Sequence, residues 1–149
     1  MDVFTDEYFM AKALELALQA FDDEEVPIGA IVVHENKIIG KGYNQTERLQ
    51  DVTAHAEMLA ITAASNAVNG KYLDECTLYV TIEPCLMCAG AIQWSRFARI
   101  VFGAGEPKFG FQRIDKGMLG KTEVVGGVLS DECSDVMKRF FRDRRKKNN

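Results

Sequence analysis

The apolar and polar positions along the chain follow two different periods. Near the start, Met10, Ala13, Ala17 and Phe21 recur at helical spacing, and Thr5 precedes them as an N-cap. Farther along, short runs rich in β-branched residues predict strands. These predicted strands cover residues 26–34, 37–43, 77–82, 99–103 and 123–125. Glu35 and Asn36 predict a tight turn between the first two strands, which then form a hairpin.

Three further helices are predicted between and after these strands. Thr53 is predicted to cap a helix over residues 54–67, and Gly70 is available as its left-handed C-cap. A second helix is predicted over residues 85–95, and the last begins at Ser130. One face of that last helix carries Cys133, Val136, Met137, Phe140 and Phe141. Strands that alternate with helices predict a layered α/β domain.

The composition favours one globular domain over residues 1–149. The chain is 47% apolar, which is ordinary for a globular protein, and no apolar run reaches the length of a membrane span. Residues 1–7 are acidic and lack the basic start of a signal peptide, so we expect a cytoplasmic protein. No linker or internal repeat divides the chain.

The charge is distributed unevenly. The net charge is −4, yet residues 138–149 hold seven basic residues and one acidic residue, so the remainder of the chain is strongly acidic. This basic helix end predicts contact with a polyanion. The alternative is a solvated helix end whose basic residues interact favourably with the helix dipole. A second charge run, residues 22–25, is predicted to be a solvated acidic loop.

Candidate chemistry lies in a motif split between two predicted helix starts. His55 belongs to the first half, and Cys85 and Cys88 belong to the second. One imidazole and two thiols make three ligands for zinc and leave a fourth position open, as in catalytic zinc sites. The partial positive charge at a helix start stabilises thiolates. Glu57 lies close enough to His55 to accept a proton from a zinc-activated water.

Two other interpretations of this motif remain. One is a structural zinc completed by Cys76, Cys133 or His34, and the other is a redox pair in the C-x-x-C sequence. The apolar pattern predicts that Cys76 and Cys133 pack in the core, and His34 borders an exposed turn. A redox pair would leave His55 and Glu57 without a role, so the sequence favours a catalytic zinc.

The split motif also carries a family resemblance. His55-Ala56-Glu57 with Pro84-Cys85-Leu86-Met87-Cys88 resembles the signature of zinc-dependent nucleobase deaminases. Further stretches resemble the bacterial tRNA-specific adenosine deaminases of the cytidine/deoxycytidylate deaminase superfamily. They are residues 26–30, 44, 53–57, 78–81, 83–85, 87–92, 101–104, 131–133 and 140–142.

The resemblance implies a fold and an activity. The fold would be a three-layer, cytidine-deaminase-like α/β fold, with a central mixed five-stranded sheet and helices on both faces. The activity would be hydrolytic deamination of adenosine to inosine at the wobble position of a tRNA anticodon. By resemblance, one Zn²⁺ per chain is held by His55, Cys85 and Cys88, Glu57 transfers the proton, and the protein is a homodimer.

The same resemblance implies residues that bind the substrate. Asn44 would hydrogen-bond the base, while Ile28 and the turn at Glu83 and Pro84 would form walls of the pocket. The partner would be the anticodon loop of a tRNA, because an unpaired loop base is turned out of its stack at little cost.

The chain departs from the family pattern in two places. Val52 stands where the family usually has proline before the His55 motif. Residues 104–122 are shorter than usual, carry Leu119-Gly120 in place of an Asn-His pair, and contain no predicted element. Four larger residues, Phe109, Phe111, Gln112 and Arg113, replace small ones there. Aromatic and arginine side chains can stack on bases, but packing of the two phenylalanines is the favoured interpretation.

Two alternative functions stay open from the sequence. One is a free nucleobase deaminase, such as a guanine deaminase, with which the aromatic Trp94 is compatible. The other is a non-catalytic, zinc-stabilised module that binds RNA through its basic end. The basic end favours RNA over a free base as the partner.

Overall fold

A mixed five-stranded sheet forms the centre of the computed structural model, which describes residues 2–147. Its strands are β1 (Gly29–His34), β2 (Lys37–Tyr43), β3 (Thr77–Ile82), β4 (Arg99–Ala104) and β5 (Glu123–Val125). The strand order is β2-β1-β3-β4-β5. Strand β1 is antiparallel to both of its neighbours, whereas β3, β4 and β5 are parallel. The carboxyl ends of β2, β3 and β4 therefore share one edge with the start of β1.

Helices cover both faces of this sheet. They are α1 (Asp6–Asp22), α2 (Ala56–Val68), α3 (Leu86–Ser95), α4 (Phe111–Ile114) and α5 (Ser130–Lys147). Helices α2 and α3 pack in one hydrophobic cluster, and α1 and α5 pack in another. Along β1, Ala30 and Val32 belong to the first cluster, while Ile31 and Val33 belong to the second, as the two-residue period of a strand requires. The predicted three-layer α/β fold is confirmed.

Glycines bring helices into direct contact with the sheet. A Cβ atom at Gly42 of β2 would overlap the backbone carbonyl oxygen of Ala56 in the first turn of α2. A Cβ atom at Gly29 of β1 would likewise overlap the carbonyl oxygen of Ala13 in α1. Each helix backbone therefore lies against a strand with no side chain between them, and this contact fixes its height above the sheet.

Several predicted local features agree with the structure. The side chain of Thr5 caps α1, because its Oγ1 accepts a hydrogen bond from the backbone N–H of Tyr8 at 3.1 Å. Glu35 and Asn36 both have positive φ, at 49° and 64°, as in the tight hairpin turns that match strand twist. Cys76 is buried at the start of β3, as predicted. None of the helices within residues 2–147 is long and apolar enough to cross a membrane.

The predicted ends of α2 are wrong in detail. Thr53 does not cap the helix, because its backbone N–H and its hydroxyl both donate to Asp51 Oδ1, at 2.8 and 2.7 Å. Helix α2 instead begins at Ala56, with His55 as its N-cap. At the other end, Asn69 takes the left-handed conformation, with φ of 54°, in place of Gly70. Asparagine tolerates this conformation almost as well as glycine.

The first strand and the last helix also differ from their predictions. Strand β1 begins at Gly29, because Pro27 has no N–H and the N–H of Ile28 turns back to Val26 at 2.9 Å. On α5, Cys133 is buried as predicted, whereas Phe141 is 42% exposed and does not share the buried face. The last two residues of the predicted basic end, 148–149, lie outside the described part of the chain.

Candidate active site

Two helix starts bring three metal-ligating atoms together. His55 is the N-cap of α2, Cys85 is the N-cap of α3, and Cys88 lies in the first turn of α3. The Nδ1 atom of His55 lies 3.4 Å from Cys88 Sγ and 3.7 Å from Cys85 Sγ. All three ligand atoms lie within 4.8 Å of one another. The structure therefore brings together the three residues that the sequence predicted as zinc ligands.

The spacing of these atoms fits a tetrahedral zinc ion. Zinc bonds to histidine nitrogen and cysteine sulfur of about 2.0–2.3 Å place tetrahedral ligands roughly 3.4–3.8 Å apart. The two nitrogen-to-sulfur distances fall in that range. This is the only cluster of three or more such residues within residues 2–147. With three protein ligands, a fourth position remains for water or substrate.

The structure gives no support to a closed structural zinc site. Cys76 and Cys133 are buried in the two hydrophobic clusters, on opposite faces of the sheet. His34 lies at the far end of β1, where its Nδ1 is 3.4 Å from the carbonyl oxygen of Glu75. None of the three joins His55 and its two cysteine neighbours.

The two cysteine ligands differ in acidity because they share a hydrogen bond. The hydrogen bond from Cys88 stabilises the Cys85 thiolate, and His55 adds to this, so the pKa of Cys85 falls to about 4 against the opposing effect of burial. The pKa of Cys88 is raised, because its thiol donates that hydrogen bond and is buried. The hydrogen bond with Cys85 also raises the pKa of His55. The lowered pKa of Cys85 favours its thiolate, and metal binding would displace the protons that remain on the other ligands.

Glu57 is a buried carboxyl group in the first turn of α2. It is 3% exposed, and burial raises its pKa to about 7, with a further contribution from the charge of Cys85. A carboxyl group with a pKa near neutrality can both accept and return a proton at physiological pH. The predicted role of Glu57 in proton transfer stays a prediction, which its burial and raised pKa favour.

The loop that leads to His55 is held by Glu25, which is buried and not solvated as predicted. Glu25 is 2% exposed, although residues 22–25 were predicted to be a solvated acidic loop. Its carboxylate accepts hydrogen bonds from the backbone N–H groups of Glu47, at 3.1 Å, and Arg48, at 2.7 Å. The only local signal was its position directly before an apolar strand.

The predicted substrate-binding residues lie along one edge of the sheet. Asn44 follows β2, is 5% exposed, and donates its backbone N–H to the carbonyl oxygen of Ile28 at 3.0 Å. Ile28 precedes β1 and contacts both hydrophobic clusters. Glu83 and Pro84 follow β3 and lead directly to Cys85. These residues therefore border the same edge as the metal ligands.

Residues 105–114, here called the rim segment, lie against the turn that carries Cys85. The N–H of Phe111 donates to the carbonyl oxygen of Pro84 at 2.9 Å, and Gly110 forms an isolated β-bridge with Cys85. Phe111 is fully buried, as the packing interpretation predicted. That interpretation is wrong for Phe109, which is 64% exposed. Phe109 precedes the bridge between Gly110 and Cys85, whereas Phe111 begins α4 and packs in the same hydrophobic cluster as α2 and α3.

A family model confirms the class of protein that this geometry defines. Residues 4–104 match the cytidine and deoxycytidylate deaminase zinc-binding region. The match covers both halves of the split motif and most of the sheet. The chain therefore belongs to this family of zinc-binding deaminases.

Comparison with individual relatives shows which members of the deaminase family are similar to the chain in sequence and fold. The chain is 44% identical to the tRNA-specific adenosine deaminase of Bacillus subtilis, with 95% of this chain and 92% of the relative covered. Its fold is similar to the solved structure of a tRNA:A34 deaminase, with a TM-score of 0.82, 37% identity and coverage of 87% and 98%. Within the deaminase family, the chain thus belongs with the tRNA-specific adenosine deaminases.

A more distant neighbour is the guanine deaminase of Nitrosomonas europaea. Its structure aligns with a TM-score of 0.80 and 25% identity, over 90% of this chain and 83% of the other. Trp94, which kept a free-base deaminase open as an interpretation, is 81% exposed on α3. Within this chain, the exposed ring of Trp94 therefore gives no support to the interpretation as a free nucleobase deaminase.

Proposed function

We propose that this protein hydrolyses adenosine to inosine at the wobble position of a tRNA anticodon. The observation that carries the proposal is the cluster of three ligand atoms at distances that suit one zinc ion. The buried carboxyl group of Glu57 lies in the first turn of α2, near the ligand His55. The similarity to tRNA-specific adenosine deaminases supports the choice of substrate.

In this proposal, His55, Cys85 and Cys88 hold one Zn²⁺ per chain. When bound, the ion supplies Lewis-acid activation of a water molecule. Glu57 would accept one proton of that water at its carboxylate and deliver it to N1 of the purine ring as the water oxygen bonds to C6. The proton of the new hydroxyl group would then pass through Glu57 to the amino group, so that the C6–N bond breaks, ammonia leaves and the C6 carbonyl of inosine remains. Its pKa of about 7 suits both halves of this transfer.

The base is held at the edge of the sheet where β1 begins and β3 ends. Asn44 hydrogen-bonds the base, and Ile28 and Pro84 form apolar walls of the pocket, with Glu83 beside them. The near-burial of Asn44 and its backbone link to Ile28 support these roles, because they fix both residues relative to each other.

The anticodon loop of the tRNA contacts the basic end of the chain, residues 138–149. Within its described part, residues 141–147 are exposed. An open cavity of about 380 Å³ joins helix α5 to the ends of β3 and β4. Its lining includes Ile82, Ala104, Glu106, Lys138, Phe141 and Arg145. Cationic side chains along a groove next to the site favour a phosphate backbone.

We further propose that the single deaminase domain acts in the cytoplasm as a homodimer. Exposed apolar side chains on the outer surface of α3 support self-association: Leu86 is 47% exposed, Met87 is 38% exposed and Trp94 is 81% exposed. Light scattering of the wild-type protein and of Trp94→Glu tests this: we expect a dimer for the first and a monomer for the second. A wild-type monomer would contradict it.

The proposed activity is tested by incubating the zinc-loaded protein with an anticodon stem-loop RNA and, separately, with guanine and with cytidine. Sequencing of the RNA is expected to show one adenosine converted to inosine in the anticodon. Ammonia released from guanine, with no inosine in the RNA, would instead establish a free-base deaminase. RNA binding with no turnover of any substrate would establish the non-catalytic module.

A further inference from the structure

Glu83 holds the rim segment at both of its ends. Glu83 is only 8% exposed, and both of its carboxylate oxygens accept hydrogen bonds from the rim segment. Oε1 accepts the backbone N–H of Glu106 at 3.0 Å, and Oε2 accepts the backbone N–H of Gln112 at 3.0 Å. Hydrogen bonds from backbone N–H groups to a buried carboxylate are among the stronger ones in proteins. One side chain thus fixes two points of the rim segment.

The middle of the rim segment is fixed to the same place. Gly110 bridges Cys85, and a Cβ atom at Gly110 would overlap the carboxyl group of Glu83. Only a glycine lets the rim backbone approach this closely. The metal ligand Cys85, the carboxylate of Glu83 and the rim segment therefore form one unit.

The rim segment presents an aromatic ring and two cations on its outer side. Phe109, next to Gly110, is 64% exposed, and Lys108 Nζ lies 5.6 Å from the centroid of its ring. Arg113 Nη1 donates to the carbonyl oxygen of Lys108 at 3.0 Å, which holds the second cation nearby. The acidic group of the segment, Glu106, accepts the backbone N–H of Lys108 at 2.9 Å. An exposed ring flanked by cations suits a stacked base and its phosphate.

We infer that Glu83 is a positioning residue that holds the rim segment against Cys85, so that Phe109 stacks on a base flanking the reacting adenosine. Lys108 and Arg113 then face the phosphates of the same unpaired strand. The inference rests on the proposed function, because it assigns part of the RNA to a place beside that site. It gives Glu83 a role through the rim segment, without a contact to the reacting atoms.

The first test compares Glu83→Gln and Phe109→Ala with the wild type, in steady-state deamination of the anticodon stem-loop. Glutamine keeps the shape of Glu83 but faces one rim N–H group with a second donor. We expect both variants to raise KM about tenfold, a change of 1.4 kcal/mol, with a smaller effect on kcat and with zinc content retained. The matched control is Tyr72→Ala, at the opposite end of β3, where Arg96 lies 4.0 Å from the ring centroid.

A double-mutant cycle then tests the stacking contact itself. Removing the base on either side of the reacting adenosine should weaken wild-type binding, and Phe109→Ala should abolish that difference on one side. Equal loss in the wild type and in Phe109→Ala on both sides would overturn the contact. A fall in kcat with unchanged KM for Glu83→Gln would place Glu83 in the chemistry and overturn its positioning role.

The outcomes separate this inference from the proposed function. If the wild type forms no inosine in the stem-loop, the proposed function fails before any variant is compared. If the wild type forms inosine and Phe109→Ala behaves like Tyr72→Ala, only the present inference fails. Should Glu83→Gln not fold, Phe109→Ala still decides the stacking contact, and Gly110→Ala takes its place as the test of rim attachment.

Discussion

The same kind of glycine contact attaches a helix to each face of the sheet, but the two helices have different roles. On each face, a glycine in a strand lets a helix backbone rest directly on the sheet, with Gly42 under α2 and Gly29 under α1. Helix α2 delivers His55 and Glu57 to the metal-binding edge. Helix α1 delivers Asp6 to an ion pair with Arg99 at the other end of the sheet. On both faces, close packing fixes the position of the helix relative to the sheet. The residues at the start of the helix differ: those of α2 lie at the metal-binding edge, whereas Asp6 of α1 forms an ion pair.

Replacing Glu57 is expected to remove activity without affecting the fold or the helix contacts on either face of the sheet. Glu57 is not part of the cluster of metal-ligating residues, and its proposed role is proton transfer. We therefore expect Glu57→Ala to keep zinc and fold while turnover falls by about 10²–10⁴-fold. Inosine formation and zinc content measured on the same preparation check this. Turnover equal to that of the wild type would remove Glu57 from the mechanism.

Adding one methyl group to each face compares the two helix contacts directly. Gly42→Ala and Gly29→Ala both insert a Cβ atom against a helix carbonyl, and each should lower the free energy of unfolding by about 1–3 kcal/mol. Only Gly42→Ala moves Ala56, which lies between His55 and Glu57, so only this variant should also lose zinc affinity.

Chemical denaturation and a zinc-chelator competition measure the two effects. Gly29→Ala is the control for destabilisation without displacement of α2. Equal zinc loss in both variants would show that the two faces are not independent.

Truncating the chain after Phe141 removes most of the positive charge of its basic end. A chain that ends at Phe141 lacks five of the seven basic residues of the tail. Affinity for the stem-loop at low salt should fall about tenfold, and the slope of log affinity against log salt should become shallower. Binding titrations at several salt concentrations test this, with zinc content as the control. Unchanged affinity at low salt would leave the tail as a solvated helix end.

The smallest expected effect concerns the ion pair between Arg99 and Asp6, the first residue of α1. Arg99 donates to both carboxylate oxygens of Asp6 at 2.7 Å, and this hydrogen bonding lowers the pKa of Asp6 below its ordinary 3.8. A lowered pKa stabilises the fold fully above the ordinary value, and this stabilisation is lost as the pH falls through the folded value. Asp6→Asn should cost about 1 kcal/mol at pH 7, since the pair is partly exposed.

The pH dependence of unfolding tests the sign of that effect. The difference between the wild type and Asp6→Asn should be constant near neutral pH and shrink as the pH falls below about 4. A difference that grows on acidification would contradict the assigned cause. Zinc affinity should stay unchanged throughout, since the ion pair lies away from the metal-binding edge.

The sequence predicted which metal-ligating residues the fold brings together, but it did not predict the side chains that hold the surrounding loops. His55, Cys85 and Cys88 were identifiable because their residue types and spacing suit one metal ion. Glu83 was predicted only as a wall of the pocket, and Glu25 only as part of a solvated loop. Their hydrogen bonds were not predictable, because the backbone N–H groups that donate to each carboxylate lie more than 20 residues away. A local pattern contains no sign of such partners.

Helices and strands were predictable where the apolar pattern repeated over several residues. The capping residues and the exposure of single side chains were not. The five strands and four long helices followed the apolar pattern, whereas Asn69 replaced Gly70 at the end of α2, because both residues allow positive φ. Phe109 and Phe111 are two positions apart and have opposite exposure. Their difference depends on the bridge between Gly110 and Cys85, which joins segments distant in sequence.

The double attachment of the rim segment to Glu83 makes residues 107–111 a closed loop whose ends are both fixed. Replacing the exposed side chains inside such a loop leaves its anchors in place, provided that glycine remains at position 110 and the buried Phe111 is kept. For protein engineering, this stretch is a ready site for libraries that retarget the enzyme, with Glu83 kept constant and the zinc ligands untouched.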